Sequence, residues 1–214
     1  MKIENKEVIQ SYLMTSAKYL FSPVEKRIMY KKKELHKIPF YLSGGMKPRY
    51  YQEIAVSKVM EAIADNEPRI LLTLATGTGK TRVAIALSEL LLRTSWAKRI
   101  LFLCDRKELR KQADEAFADH LGTETRCVIG SSNKVDQNAR IYVATYPGMM
   151  NRFAQLDVGF FDLIIADESH RSIYNKYGDL FAYFDSLQLG LTATPVKFIS
   201  RNTFGMFDCK DKDP

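Results

Sequence analysis

From residue 50 to 195 the chain alternates short apolar runs with stretches in which apolar residues recur every three or four positions. The apolar runs are Arg69–Leu74, Arg99–Asp105, Arg126–Gly130, Ala139–Thr145, Phe161–Asp167 and Leu187–Thr192. Several are dense in Ile, Leu, Val and Phe on both faces, the pattern of parallel strands covered by helices. Helical spacing fills 82–93, 107–120 and 174–185. A further helix follows Lys47-Pro48-Arg49-Tyr50-Tyr51-Gln52, with Ile54, Ala55, Val59, Met60 and Ile63 on one face. This alternation predicts an α/β fold, a mostly parallel sheet with helices on both faces. Gly130–Asn138 reads as a polar loop. Residues 1–46 carry weaker signals, a short helix around Ile9, Tyr12, Leu13, Tyr19 and Leu20, then Ser22-Pro23 and Ser43-Gly44-Gly45 as breaks. They are expected to form a linker or docking arm ahead of a main domain at 47–214.

Charge sharpens that division. The 214 residues carry a net +7, with 11 Lys or Arg against 4 acids in residues 1–50 and 21 of each in residues 51–214. The basic excess belongs to the arm, chiefly Lys26-Arg27 and Lys31-Lys32-Lys33, where it could meet nucleic-acid phosphates or simply be solvated. Apolar content of 46% is that of a globular domain. No run approaches the roughly 18 apolar residues of a membrane span, and the N-terminus lacks a signal-peptide core. Cys104, Cys127 and Cys209 show neither metal nor disulfide spacing, so three reduced thiols and a cytoplasmic location are expected.

The first run leads into Leu71-Leu-Thr-Leu-Ala-Thr-Gly-Thr-Gly-Lys-Thr-Arg82 and then an amphipathic helix. Strand, Gly-Lys-Thr turn and helix make a phosphate-binding P-loop. Gly77 and Gly79 permit backbone angles closed to other residues, so main-chain N–H groups can approach an anion. The helix that starts near Lys80 offers its dipole and unpaired N–H groups. Thr76 to Thr81 is therefore the candidate ATP cradle, with Lys80 reaching the β- and γ-phosphates and the Thr81 hydroxyl on Mg²⁺. The run departs from G-x-x-x-x-G-K-[ST] in having Leu74 at the first position; it matches the tighter A-T-G-T-G-K-T form.

A second apolar run ends in Asp167-Glu168-Ser169-His170. Adjacent carboxylates at a strand end can divide two tasks, Asp167 holding Mg²⁺ and Glu168 activating the attacking water. The plainer reading is a solvated Asp-Glu turn. His170 is equally a γ-phosphate sensor or a structural hydrogen-bonding residue. Gly190-Leu-Thr-Ala-Thr-Pro195 places Thr192 and Thr194 at the end of another strand, where they could relay nucleotide state. Ligand-contacting loops of such sheets lie at the carboxyl ends of strands. That makes Asp105, Arg106 and Lys107, and likewise Thr145 and Tyr146, candidates to meet a DNA backbone, though each could be ordinary surface.

Taken in order, Tyr51-Gln52, A-T-G-T-G-K-T at 75–81, F-L-C-D-R at 102–106, V-A-T-Y at 143–146, D-E-S-H at 167–170 and T-A-T-P at 192–195 resemble the first RecA-like lobe of a superfamily 2 helicase or translocase. More narrowly, R-Y-Y-Q-E-I-A at 49–55, R-I-L-L-T-L-A-T-G-T-G-K-T at 69–81, F-F-D-L-I-I-A-D-E-S-H-R-S at 160–172 and the tail at 201–208 resemble the restriction (R) subunit of type I restriction-modification enzymes. The resemblance implies ATP and Mg²⁺ as cofactors, with Lys80, Thr81, Asp167 and Glu168 in the roles above. It implies that Gln52, with Arg49, reads adenine, whose two edges a side-chain amide can match. Thr192 and Thr194 would couple hydrolysis to DNA movement. The partners it implies are duplex DNA and the methylation and specificity subunits, with DNA translocated before cleavage. In that family a second lobe with an arginine finger follows the motor's first lobe and a nuclease domain precedes it. Residues 1–46 show no nuclease constellation, so the chain is expected to be a motor-lobe fragment that binds ATP with little turnover.

Type III restriction subunits and other superfamily 2 DNA helicases share most of these motifs. A small-molecule P-loop kinase would leave D-E-S-H and T-A-T-P without a role. A DNA-binding module that merely retains a P-loop would owe its DNA affinity to the basic arm.

Overall fold

The structure is a computed structural model that describes residues 49–65, 67–130, 135–168, 175–193, 197–198 and 201–202. The arm at 1–46, together with His170 and Thr194, lies outside the described residues. The elements are α1 (Tyr50–Ala64), β1 (Arg69–Thr73), α2 (Lys80–Arg93), β2 (Ile100–Cys104), α3 (Lys107–His120), β3 (Arg126–Ile129), β4 (Ile141–Thr145), α4 (Tyr146–Met150), β5 (Leu163–Asp167), α5 (Asn175–Tyr183) and β6 (Leu187–Thr192). Two short strands, β7 (Lys197–Phe198) and β8 (Arg201–Asn202), form an antiparallel pair of their own.

Six strands pair in the order β1-β6-β5-β2-β4-β3, every pair parallel. Parallel neighbours need crossovers, and helices lie in those that follow β1, β2, β4 and β5. Successive residues of each strand therefore enter two different cores. Ile100, Phe102 and Cys104 of β2, Leu163 and Ile165 of β5, and Leu187, Leu189 and Leu191 of β6 pack with α1, α2 and α3. Leu101 and Leu103, Ile164 and Ala166, and Tyr142 and Ala144 of β4 pack on the other face with α4 and α5. Phe102 meets Phe117 of α3 edge to face at 5.6 Å, a geometry favoured by the ring quadrupoles. The apolar runs are continuous because both strand faces are covered.

The run Leu187–Thr192 forms a strand over its whole length, while the other five strands are one or two residues shorter than their runs, since residues such as Arg99, Asp105 and Gly130 sit where the ladder ends. On α1, Ala55, Val59, Met60 and Ile63 are buried as the spacing predicts, but Ile54 is 55% exposed. It belongs instead to a groove of about 690 Å³ between α1 and the outer edge of β1. The helix α4 and the β7–β8 pair have no counterpart in the sequence reading, because each is too short to carry a period.

Asp162 ties the bottom of the sheet together. Its carboxylate accepts from the backbone N–H groups of Lys98 and Arg99, its own N–H donates to the Arg99 carbonyl, and its carbonyl accepts from Leu187 N–H. One residue thus fixes the entries to β2, β5 and β6. At the opposite, carboxyl ends of the strands stand the motif residues.

Candidate nucleotide site

β1, β6 and β5 deliver three motifs side by side. Thr73 pairs with Thr192 and Leu191 with Asp167, so the P-loop, the end of β6 and the Asp-Glu turn follow one another across the sheet. The P-loop leaves β1 with Leu74 N–H donating to the Thr192 carbonyl at 2.9 Å. Thr78 closes the turn, its hydroxyl donating to the Ala75 carbonyl at 2.6 Å. Gly77 and Gly79 have φ of +80° and +85°, the left-handed region that glycine enters without a steric penalty. Gly79 is the N-cap of α2, so the loop delivers directly into a helix N-terminus. Ala75, Thr76 and Gly77 are exposed, Thr81 is half-buried, and Lys80 is 9% exposed beside the sheet.

Gln52 is 3% exposed and is held by backbone at both ends of its amide. Its Oε1 accepts from Arg49 N–H at 3.1 Å, and its Nε2 donates to the Thr78 carbonyl at 3.1 Å. Tyr51 hydroxyl, itself accepting from the Arg49 guanidinium at 2.8 Å, also donates to the Thr78 carbonyl. Arg49, Tyr51 and Gln52 thus brace the loop from the start of α1. Each end of the amide keeps one further donor or acceptor position beyond these bonds.

Asp167 stands at the end of β5. Burial, then the neighbouring Glu168 charge, pushes its carboxyl up to about 6, while the Glu168 backbone N–H and the Lys80 ammonium pull the other way. Asp167 Oδ1 accepts from Glu168 N–H at 3.0 Å. Glu168 has φ of +52°, a left-handed backbone for a residue with a long side chain. Such a conformation costs about 1–2 kcal/mol and persists only where the surroundings enforce it. This turn re-aims the second carboxylate away from the strand direction. Thr192 is fully buried at the end of β6.

The DNA-contact candidates divide. Arg106 and Lys107 are exposed at the end of β2, with Arg106 paired to Asp105 at 3.4 Å. The side chains of Thr145 and Tyr146 do not present themselves at the surface. Thr145 is 8% exposed and its hydroxyl accepts from Gly148 N–H, capping α4. Tyr146 is wholly buried and its hydroxyl donates to the Asp167 carbonyl at 2.8 Å. Both turn inward because α4 starts at Tyr146 and folds back over the sheet. Cys104 is buried in β2, its thiol pushed up to about 12 by burial, and so is chemically quiet. The sequence motifs contain Tyr51 and Asp162 but give neither a role; the signal for Asp162 was an acid inside the apolar run Phe160-Phe-Asp-Leu-Ile-Ile165.

Comparison with known proteins places this geometry. A family model described as "Type III restriction enzyme, res subunit" matches residues 45–197. The chain is 38% identical over 167 residues to the type I restriction enzyme EcoAI endonuclease subunit of Escherichia coli, covering 73% of this chain and 20% of that protein. It therefore spans about one fifth of the length of that curated relative. Among solved structures it is similar to a fragment ascribed to the HsdR subunit of a type I restriction enzyme from Vibrio vulnificus YJ016, with 28% identity and a TM-score of 0.63 over 83% of this chain and 31% of that one. The Pyrococcus furiosus Hef helicase domain matches with 26% identity and a TM-score of 0.63 over 77% of this chain and 37% of that one.

Proposed function

Because this chain belongs to the type III restriction enzyme res-subunit family, we propose that residues 47–214 are the ATP-binding motor lobe of a DNA-translocating restriction subunit, with residues 1–46 as a basic arm. Similarity to the EcoAI subunit favours the type I kind. In this reading duplex DNA and the methylation and specificity subunits would be the partners and the cytoplasm the place of action. Among the described residues no helix is long and apolar enough to cross a membrane. The observation that carries the reading is the meeting of Lys80, at the start of α2, with Asp167 and Glu168 at one end of the sheet.

Each residue has a task in that reading. Gly77, Gly79 and the α2 N-terminus receive the phosphates, and Lys80 places a positive charge against the β- and γ-groups. Glu168 takes the proton of the attacking water. A divalent cation fits the residues present: Asp167 is a buried carboxylate with a raised pKa, the state that a nearby cation relieves. The described residues hold no cluster of three His, Cys, Asp or Glu able to bind a metal alone, and a Mg²⁺ here would draw further oxygens from the nucleotide phosphates and water. Asp167 and the Thr81 hydroxyl would hold Mg²⁺, which when bound neutralises charge on the transferring phosphoryl group. Arg106 and Lys107 are exposed where a DNA backbone would pass. Thr192, with Thr194 and His170, would report nucleotide state to it.

The test is Mg·ATP binding and turnover by this chain, with and without long duplex DNA, beside Lys80→Ala. Lys80-dependent binding with slow turnover supports a lobe that supplies half of a two-lobed site. Equal binding by wild type and Lys80→Ala overturns the reading and leaves a DNA-binding module. Strong DNA-stimulated turnover would show that one lobe suffices.

A further inference from the structure

Glu168 is held in place by a residue two strands away. The peptide unit between Asp167 and Glu168 is gripped at both of its polar atoms. Its N–H donates to Asp167 Oδ1 at 3.0 Å, and its carbonyl oxygen accepts from the Tyr146 hydroxyl at 2.8 Å. Rotation of that peptide plane is the motion that would carry Glu168 out of its left-handed backbone, and it would break both bonds. Tyr146 reaches the plane across the end of β2, which lies between β4 and β5 in the sheet. Its ring is fully buried, 5.2 Å from the Tyr177 ring and 6.5 Å from that of Phe181, both on α5. The Thr145 cap at the head of α4 fixes the backbone from which it projects. Tyr177 in turn feels the Asp105 charge at the end of β2, so the same aromatic group adjoins a third strand-end loop.

We infer that Tyr146 is a positioning residue for ATP hydrolysis: its hydroxyl locks the Asp167–Glu168 peptide and so aims the Glu168 carboxylate, tying the loop after β4 to the catalytic turn. This rests on the nucleotide-hydrolysing reading of the site. It assigns to a buried tyrosine a task distinct from binding, since its hydroxyl bonds the backbone of the Asp-Glu turn rather than a group that would take phosphate. A displacement of the loop after β4 would be transmitted to the Glu168 side chain through one hydrogen bond.

Tyr146→Phe removes the hydroxyl and keeps the stacked ring, so the core remains filled. Backbone amide hydrogen exchange, followed residue by residue by NMR on the full chain, should show faster exchange at Glu168 in Tyr146→Phe, with the β-sheet amides unchanged. In the slow Mg·ATP turnover of the chain kcat should fall about tenfold, the equivalent of one hydrogen bond lost from the transition state, with KM for ATP unchanged. Unchanged Glu168 exchange in Tyr146→Phe overturns the inference, as does a rise in KM without a fall in kcat. Tyr146→Leu, which empties part of the ring site, should lower the unfolding temperature as well; if Tyr146→Phe lowers it equally, the hydroxyl is structural and the inference fails. Failure of the nucleotide-hydrolysing reading is seen separately, as ATP binding that does not depend on Lys80.

Discussion

The Gln52 amide donates to the carbonyl of Thr78 at 3.1 Å, so the first turn of α1 holds the P-loop from behind. The bond constrains what the loop tolerates. A Cβ built on Gly79 would lie 2.8 Å from Gln52 Nε2, whereas one on Gly77 would meet nothing within 4 Å. Both glycines have positive φ.

Gly79→Ala should therefore be the more damaging of the two substitutions. Gly77→Ala carries backbone strain alone, about 1 kcal/mol. Gly79→Ala adds the displacement of Gln52 and the loss of its bond to Thr78, about 1 kcal/mol more. Urea denaturation of the two variants should separate them by that amount. Gln52→Ala should partly rescue the stability of Gly79→Ala, because the displaced amide is gone.

The left-handed backbone at Glu168 makes a different contrast. Glu168→Gln removes the base and keeps the strain, so turnover falls and stability stays near wild type. Glu168→Gly also removes the base but relieves the strain, offset by the entropy of a glycine in the unfolded chain. The glycine variant should be about 0.5–1 kcal/mol more stable than the glutamine variant. Elsewhere in the sheet, where φ is negative, the same change to glycine destabilises. A glycine variant less stable than Glu168→Gln would mean that the side chain itself holds the turn.

The sheet was legible because its strands are buried on both faces, and six apolar runs in a row leave few other arrangements. The same burial hid the order of the strands, which depends on crossovers rather than on any local signal. The P-loop and the Asp-Glu turn were legible because phosphate and metal chemistry admit few residue types. Tyr146 was not, because a tyrosine at a strand end reads alike whether it faces water or donates inward. Nor was the bracing role of Gln52, since its partner Thr78 is 26 residues away in sequence. Pairings of that kind come from the fold.

Asp162 should matter to stability and not to nucleotide chemistry, since it lies at the far end of the strands from the P-loop. Asp162→Ala would leave the N–H groups of Lys98 and Arg99 without their acceptor and should cost about 2–4 kcal/mol. Asp162→Asn keeps one acceptor oxygen and should cost less. Thermal unfolding should show that order, with Lys80-dependent ATP binding retained in whatever fraction remains folded. Loss of ATP affinity in folded Asp162→Asn would contradict the separation of the two ends of the sheet.

Asp167 predicts a pH dependence opposite in sign to that of a salt-bridged carboxylate. Its pKa is about 6 in the folded protein, because burial and the neighbouring Glu168 charge outweigh the Glu168 backbone N–H and Lys80, against 3.8 for the unconstrained group. Between those values the unfolded chain releases the proton while the folded one keeps it, so stability falls as pH rises from about 4 to about 6. Above pH 6 the full penalty is present. The shift of about two units corresponds to at most about 3 kcal/mol. Asp167→Asn retains the oxygen that accepts from Glu168 N–H and removes the charge. In the absence of nucleotide and divalent cation it should therefore unfold at a higher temperature than wild type at pH 7–8, and the advantage should vanish below pH 4. Mg·ATP should raise the unfolding temperature of wild type at pH 7–8 and do so much less for Asp167→Asn, because the variant has lost the carboxylate that the cation would pair with. An Asp167→Asn variant less stable than wild type at pH 8 would show that the carboxylate charge is already neutralised by the protein, and with it the argument that this site is built to receive a cation would fall.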